Sequence, residues 1–359
     1  RLMERGIHMN NKRSSDVNGW LRRHSKSIII GALCVVAVAA IGNYIVNASH
    51  QERHNILNVS YDPTRELYTD YNQKFGNYWE NTTGETLEFS QSNGGSGKQA
   101  RAVMEGLDAD VLSLALAYDV DKVANTGLIN QEWRDRFPNQ SVPYTSLVVF
   151  LVRKDNPKHI QDWNDLAHDD VSIVVPNPKT SGAARWIYLS VWAYGRERYQ
   201  GNEADIKTFI KSVYGHVKVL DSGSRDSTTS FVNRKQGDVL IGWENEALLI
   251  MHDYPGEYEM IIPSITMRTD LPVVVVDEVV DRKHTRDIAQ GYIQYLYSDE
   301  GQRVIAEHNY RPINQDILKE YNQKFKPANT VTIDSFGGWS AAQQVHFSEG
   351  GTFDEIYEL

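Results

Sequence analysis

Short apolar runs alternate with amphipathic stretches along most of the chain, and each change of period marks a change of element. Ile56-Leu-Asn-Val-Ser60 reads as a buried first strand behind a polar linker, His50 to Asn55. Asp62-Pro-Thr-Arg-Glu-Leu-Tyr68 opens a helix, with Asp62 as its cap and Pro63 at the first helical position. Thr86-Leu-Glu-Phe-Ser90 is a strand that runs into the glycine-rich turn Asn93-Gly-Gly-Ser-Gly97, and the helix Lys98 to Glu105 follows. Further strands are expected at Ala109–Ala115, Ser146–Val152, Asp170–Val175, Val217–Leu220, Asp238–Trp243, Met260–Ile262 and Leu271–Val276. Helices are expected at Ala183–Tyr194, after Ser227, and near Thr285–Tyr297 and Asp299–His308, beyond which the chain reads as a tail. Strands alternating with helices predict an α/β fold with parallel sheets.

The length of 359 residues is enough for two domains with sizeable cores. Charge is uneven: residues 1–48 carry a net +5, which leaves −15 on the remainder. An acidic body of this kind argues against nucleic acid as a partner, because phosphate backbones demand basic surface. Behind Lys26 comes an apolar core of roughly 14 residues, the layout of a secretory signal. Val46-Asn-Ala48 predicts cleavage before Ser49, so that 1–48 is an extension with a signal peptide. An uncleaved anchor is the alternative, since the uncharged stretch from Ser27 to Ser49 is long enough to span a bilayer. Cys34, the only cysteine, lies inside the apolar run, so the body has no disulfide and its stability rests on core packing.

Four strand-to-helix turns are built alike, namely Ser60-Tyr-Asp-Pro-Thr64, Asn93-Gly-Gly-Ser-Gly97, Lys179-Thr-Ser-Gly-Ala183 and Asp221-Ser-Gly-Ser-Arg225. Each puts small residues at a helix N-terminus, where unpaired N–H groups and the positive end of the dipole face outward. Such turns at the carboxyl edge of a sheet suit a small anion, although four ordinary capped helices would look the same. The three glycines at 94, 95 and 97 are expected to take positive φ and form a concave amide cradle. A nucleotide P-loop is excluded, because Ser92 and Gln99 stand where it needs a glycine and a hydroxyl. The eleven histidines are scattered, and neither a metal nor another cofactor is expected.

Asn58 to Tyr68, Gly94 to Gln99, Leu114 to Asp119, Pro176 to Trp186, Leu220 to Arg225, Trp243 to Ala247 and Phe336 to Trp339 all resemble the periplasmic sulfate-binding proteins. These are soluble receptors of sulfate/thiosulfate ABC importers. The resemblance covers nearly all of the chain after residue 55. It implies a type II periplasmic binding protein fold, each lobe a mostly parallel sheet flanked by helices, with the ligand in the interlobe cleft. Lobe I would be 55–145 plus 268–359 and lobe II 146–267. The implied donors are the amides of Asp62, Ser96, Gly182, Ala183 and Ser224, the hydroxyl of Ser181 and the indole N–H of Trp243. Arg185 and Arg225 would sit just behind them. Two positions depart from the family, which usually has glycine at 183 and commonly alanine at 224. Both changes are tolerable if φ stays negative, although the Ser224 hydroxyl is either an extra donor or a source of crowding.

The resemblance thus implies a periplasmic, monomeric receptor that makes and breaks no bond. Its partners would be sulfate or thiosulfate and the importer's permease in the inner membrane. Donors alone suit a fully ionised oxyanion, since hydrogen phosphate carries a proton that needs an acceptor. Asp62 could supply that acceptor, but it is expected to cap its helix instead. Molybdate, equally proton-free, remains an alternative, as do phosphate on the same fold, an ester hydrolase and a tethered signalling receptor. Glu244 and Glu246 read as a solvated helix start or as salt-bridge partners.

Overall fold

β1, His54–Tyr61, is the strand around which the first sheet is built: its last residues are buried on both faces, as a central parallel strand requires. It pairs in parallel with β2, Leu87–Gly94, on one side and with β3, Val111–Ser113, on the other. The second sheet is organised by β4, Tyr144–Arg153, an apolar strand buried for almost its whole length. In order along the chain its other members include β5 (Ile173–Pro176), β6 (Val217–Asp221), β7 (Val239–Trp243), β8 (Tyr258–Ile261) and β9 (Thr266–Leu271). The structure, a computed structural model, describes residues 36–38 and 54–357. The expected signal or anchor therefore lies outside the described residues, apart from 36–38. Among the described residues no helix is long and apolar enough to cross a membrane.

Two differences from the expected sheets have simple causes. The stretch Leu271–Val276 is not one strand. Proline has no N–H to give to a ladder, and at Pro272 the chain leaves the second sheet, where Leu271 pairs with Tyr144, and enters the first as β10, Val273–Val275, antiparallel to β3. The Pro272 carbonyl accepts from the Leu114 N–H at 3.2 Å. The second sheet is also mixed rather than mostly parallel: β5 is parallel to β6 and β7, but β4 runs antiparallel to β7, β8 and β9.

Helices cover the sheets where the sequence is amphipathic. α1, Arg65–Thr83, buries Tyr68, Tyr71 and Phe75 against Tyr292, whose ring lies 4.9 Å from that of Tyr71 and 5.2 Å from that of Phe75. α2, Ser96–Met104, follows β2; α3, Gly182–Arg198, follows β5; α4, Glu203–Gly215, packs on α3. Short α5, Ser224–Thr228, follows β6, and α6, Glu244–Asp253, follows β7.

The C-terminal stretch is not a plain tail. Thr330–Val331 forms a short strand beside β9, and the chain then folds into short turns on the helices of the second sheet, although the resemblance grouped it with the first lobe. Trp339 meets Trp186 edge to face at 4.6 Å, and Phe347 and Phe353 lie 5.3 and 5.6 Å from Tyr188. Each turn carries only two or three apolar residues, too few to produce a readable period. Phe353 is fully buried, and we expect Phe353→Ala to destabilise the fold by about 3 kcal/mol, read by urea denaturation. A smaller loss would mean that the C-terminal turns are held by other contacts.

Candidate functional site

The four turns singled out in the sequence converge. They line one cleft of about 370 Å³, with Tyr61 to Pro63, Gly95, Ser96 and Lys98 from the first-sheet half and Thr180 to Gly182 and Ser222 to Asp226 from the second. All four follow the carboxyl ends of strands, β1, β2, β5 and β6, the edge at which α/β sheets place ligands. A smaller cavity of about 160 Å³ includes Arg134, Arg268 and Asp270. Its arginines are already paired, Arg134 with Asp121 and Arg268 with Asp270, both at 2.7 Å.

At α2 the first intrahelical bond runs from the Gln99 N–H to the Gly95 carbonyl, so the amides of Ser96, Gly97 and Lys98 have no helical acceptor. The Ser96 hydroxyl donates to Asp119 at 2.7 Å and accepts from the Ala115 N–H at 3.2 Å. Its side chain is therefore committed, and Ser96 offers the cleft only its amide. The glycines do not behave as expected: none of Gly94, Gly95 and Gly97 has a positive φ. β2 continues through Gly94 and the helix starts two residues later. The donors are thus those of a helix start, not of a left-handed cradle.

At α3 the cap is Ser181, whose hydroxyl oxygen accepts from the Ala184 N–H at 3.4 Å. Accepting leaves the hydroxyl proton free to be donated. Gly182 is a glycine for reasons of space. A Cβ there would lie 3.2 Å from both Leu116 Cγ and Ser96 Cβ and 3.3 Å from Ala115 Cβ, all in the other half. Ala183, at the next position, is buried in the helix and does not itself line the cleft. Neither Ala183 nor Ser224 has a positive φ, so both departures from the family pattern keep ordinary backbone. Ser224 opens α5, and its hydroxyl lies 3.4 Å from that of Tyr61.

Asp62 does not cap a helix. Tyr61 holds the cap position of a single 3-10 turn, Asp62–Thr64, and the Asp62 carboxylate accepts from the Arg65 guanidinium at 2.6 Å. A charge-assisted bond to a nearby guanidinium outcompetes one to a backbone amide. Trp243, at the end of β7, is buried, and its Nε1–H has no partner. The ring packs 5.2 Å from that of Tyr61 on the cleft wall. A buried unpaired donor costs about 1–3 kcal/mol; Trp243 does not itself line the cleft but packs behind Tyr61, which does.

Part of the charge around the cleft is already paired within the protein, and Lys98 is a further cation on its wall. Arg225 lies 2.7 Å from Glu66 and 3.3 Å from Glu246. Burial works against its charge, yet Glu246 and Glu66 outweigh that and raise its pKa. Arg185 donates to the Pro178 carbonyl at 3.0 Å, does not line the cleft, and has its pKa lowered by burial. Glu244 is held by Arg311 in a bidentate pair at 2.6 and 2.8 Å, the salt-bridge reading of that residue. Among the described residues no group of three or more His, Cys, Asp and Glu side chains is placed to hold a metal ion.

Tyr61, Glu66 and Lys98 belong to this neighbourhood but were not singled out from sequence. Glu66 was findable: it stands four residues past Asp62, one helical turn along the same face. Tyr61 was not, because a tyrosine at a strand end is an ordinary core residue.

Burial pushes the Glu246 carboxyl up from 4.5 to about 7, with Arg225 opposing the shift and Glu66 and Asp62 adding to it. The folded state therefore holds this proton more tightly than the unfolded chain, so this group makes stability fall as pH rises from 4.5 towards 7. Urea denaturation of unliganded wild type and Glu246→Gln across that range should show a steeper loss in wild type; parallel profiles would contradict the assignment.

A family model for bacterial extracellular solute-binding proteins matches residues 60–311. The chain is 50% identical to the sulfate-binding protein of Escherichia coli over 84% of its length and 92% of the relative's. It is 43% identical to the thiosulfate-binding protein of Pseudomonas aeruginosa, over 89% and 97%. Among solved structures, the sulfate-binding protein SubI of Mycobacterium tuberculosis superposes with a TM-score of 0.73 at 27% identity, covering 82% of this chain and all of that one. With its two sheets and flanking helices in the type II periplasmic binding protein arrangement, the chain belongs to the bacterial extracellular solute-binding proteins, in the branch whose members are named for sulfate and thiosulfate.

Proposed function

We propose that the cleft captures sulfate, with thiosulfate as a second ligand, and that the protein delivers it to the permease of an ABC importer. Capture is by the amides of Asp62, Ser96, Gly182, Ala183 and Ser224, the Ser181 hydroxyl and the Trp243 indole. The observation that carries this reading is the buried, unpartnered Nε1–H of Trp243, beside helix starts whose first amides have no acceptor. These groups donate only, which suits an anion that only accepts. Arg185 acts from behind the donors and Arg225 from the cleft wall; with Arg225 tied to two carboxylates, dipoles carry most of the stabilisation of the bound charge, with Lys98 beside them. The site works outside the inner membrane, on a monomer, without a cofactor. The relatives' names support the ligand, and the family's extracellular character supports the location.

Hydrogen phosphate is rejected because its proton meets a ring of donors. The carboxylates on the wall able to take that proton are Asp62 and Asp226, and each is already engaged, Asp62 by Arg65 and Asp226 by the Ser222 hydroxyl.

The test is calorimetric titration of the purified protein with sulfate, thiosulfate, molybdate and phosphate at neutral pH. We expect binding of sulfate and thiosulfate and none of phosphate. Trp243→Phe and Ser181→Ala should each weaken sulfate binding by about tenfold or more, the cost of a hydrogen bond to a charged partner. Tight molybdate with weak sulfate would reassign the ligand. No response to any of the four would overturn the reading.

A further inference from the structure

The turn that presents Ser181 is held from behind by the other end of the chain. Lys179, two residues before Ser181, does not line the cleft. Its ammonium lies among the C-terminal turns, 2.6 Å from Asp354 Oδ1, and donates to the Phe347 and Ser348 carbonyls at 3.2 and 3.3 Å. Three acceptors answer the three protons of an ammonium group. We propose that Asp354, acting through Lys179, is a positioning residue for the anion site, a brace that holds the turn so that the Ser181 hydroxyl meets the ligand. The proposal rests on the ligand reading above; neither Asp354 nor Lys179 is on the cleft wall.

The turn is a connected unit. The Asn177 carbonyl accepts from the Thr180 and Ser181 N–H groups at 3.0 and 2.8 Å, and the Asn177 side chain accepts from the Lys179 N–H at 2.9 Å. The Thr180 hydroxyl donates to the Ser222 carbonyl at 2.8 Å, which joins this turn to its neighbour on the cleft wall. Movement of Lys179 is therefore passed to Ser181. The other end of the brace is fixed. Asp354 Oδ2 accepts from the Gly350 N–H at 2.8 Å, and the adjacent Phe353 is fully buried, 5.6 Å from Tyr188 on α3. The hydrogen bond from Lys179, more than any other group, holds the Asp354 carboxyl below its usual range, so the pair is ionised at neutral pH. Both partners belong to the half that carries β5 and α3, so the brace does not depend on the two halves coming together. It acts by ordering the site before the ligand arrives, which removes part of the cost of ordering it afterwards.

The test is a double-mutant cycle, read by calorimetric titration of sulfate into the purified full-length protein at neutral pH. Asn at 354 keeps an oxygen for the Gly350 N–H and removes the charge. We expect Asp354→Asn to weaken sulfate binding about fivefold, the upper range for a partly exposed ion pair. In a Ser181→Ala background the hydroxyl to be positioned is gone, and Asp354→Asn should then change affinity by no more than about twofold. A pair that merely fastens the C-terminal turns would lower stability to urea while leaving affinity unchanged, or would weaken binding equally in both backgrounds. Either result overturns the brace and leaves the ligand reading intact. Lys179→Met removes the same pair from the other side and carries the same cycle if Asp354→Asn does not fold. A wild type that binds no sulfate overturns the ligand reading, and the brace with it.

Discussion

Unpaired backbone donors are the constraint on which this molecule turns. A helix cannot satisfy its own first N–H groups, and in most proteins water or a side-chain cap does so. Here helix starts from both sheets open onto one cleft. The side chains at these starts leave donors over: the cap Ser181 accepts from Ala184, and the hydroxyl of Ser96, the first residue of α2, is turned to Asp119. The sheets exist, in this sense, to aim helix starts, and the register of β1 with β2 and of β5 with β6 keeps each pair of turns at the same edge.

Close approach of the halves follows from the same demand. Gly182 meets Ser96, Ala115 and Leu116 at distances that leave no room for a methyl group without adjustment. The Trp186 indole donates to the Ala115 carbonyl at 2.9 Å alongside. Donors from two independent sheets can address one small object only if the backbones nearly touch, and small residues at 96, 115 and 182 are what allow it.

Much of this was legible in the chain, for reasons that can be named. Element types were read wherever an apolar run was long, as at β1, β4 and α3, and the four turns announced themselves by Ser, Gly and Asp before a helix. Which partner a side chain chooses was not legible. Asp62 looked like a cap until Arg65 proved the stronger partner, and the glycines at 94, 95 and 97 looked like a left-handed cradle until β2 ran straight through the first of them. The change of sheet at Pro272 was hidden inside an unbroken apolar run. The C-terminal turns were hidden because their aromatic residues follow no period. Contacts between distant segments, such as Tyr61 with Trp243 or Arg225 with Glu66, leave no local trace in a sequence.

The pairing of Arg225 with Glu66 and Glu246 has one more consequence. With the Arg225 guanidinium already committed, Lys98 is the fixed positive charge that remains on the described cleft wall to set against an arriving dianion, and neutral dipoles can hold a charge without cancelling it. Filling the cleft then makes an acidic molecule more acidic by nearly the full charge of its cargo. Occupancy becomes an electrical property of the whole particle, visible as a change in electrophoretic mobility and in the field that a docking surface meets.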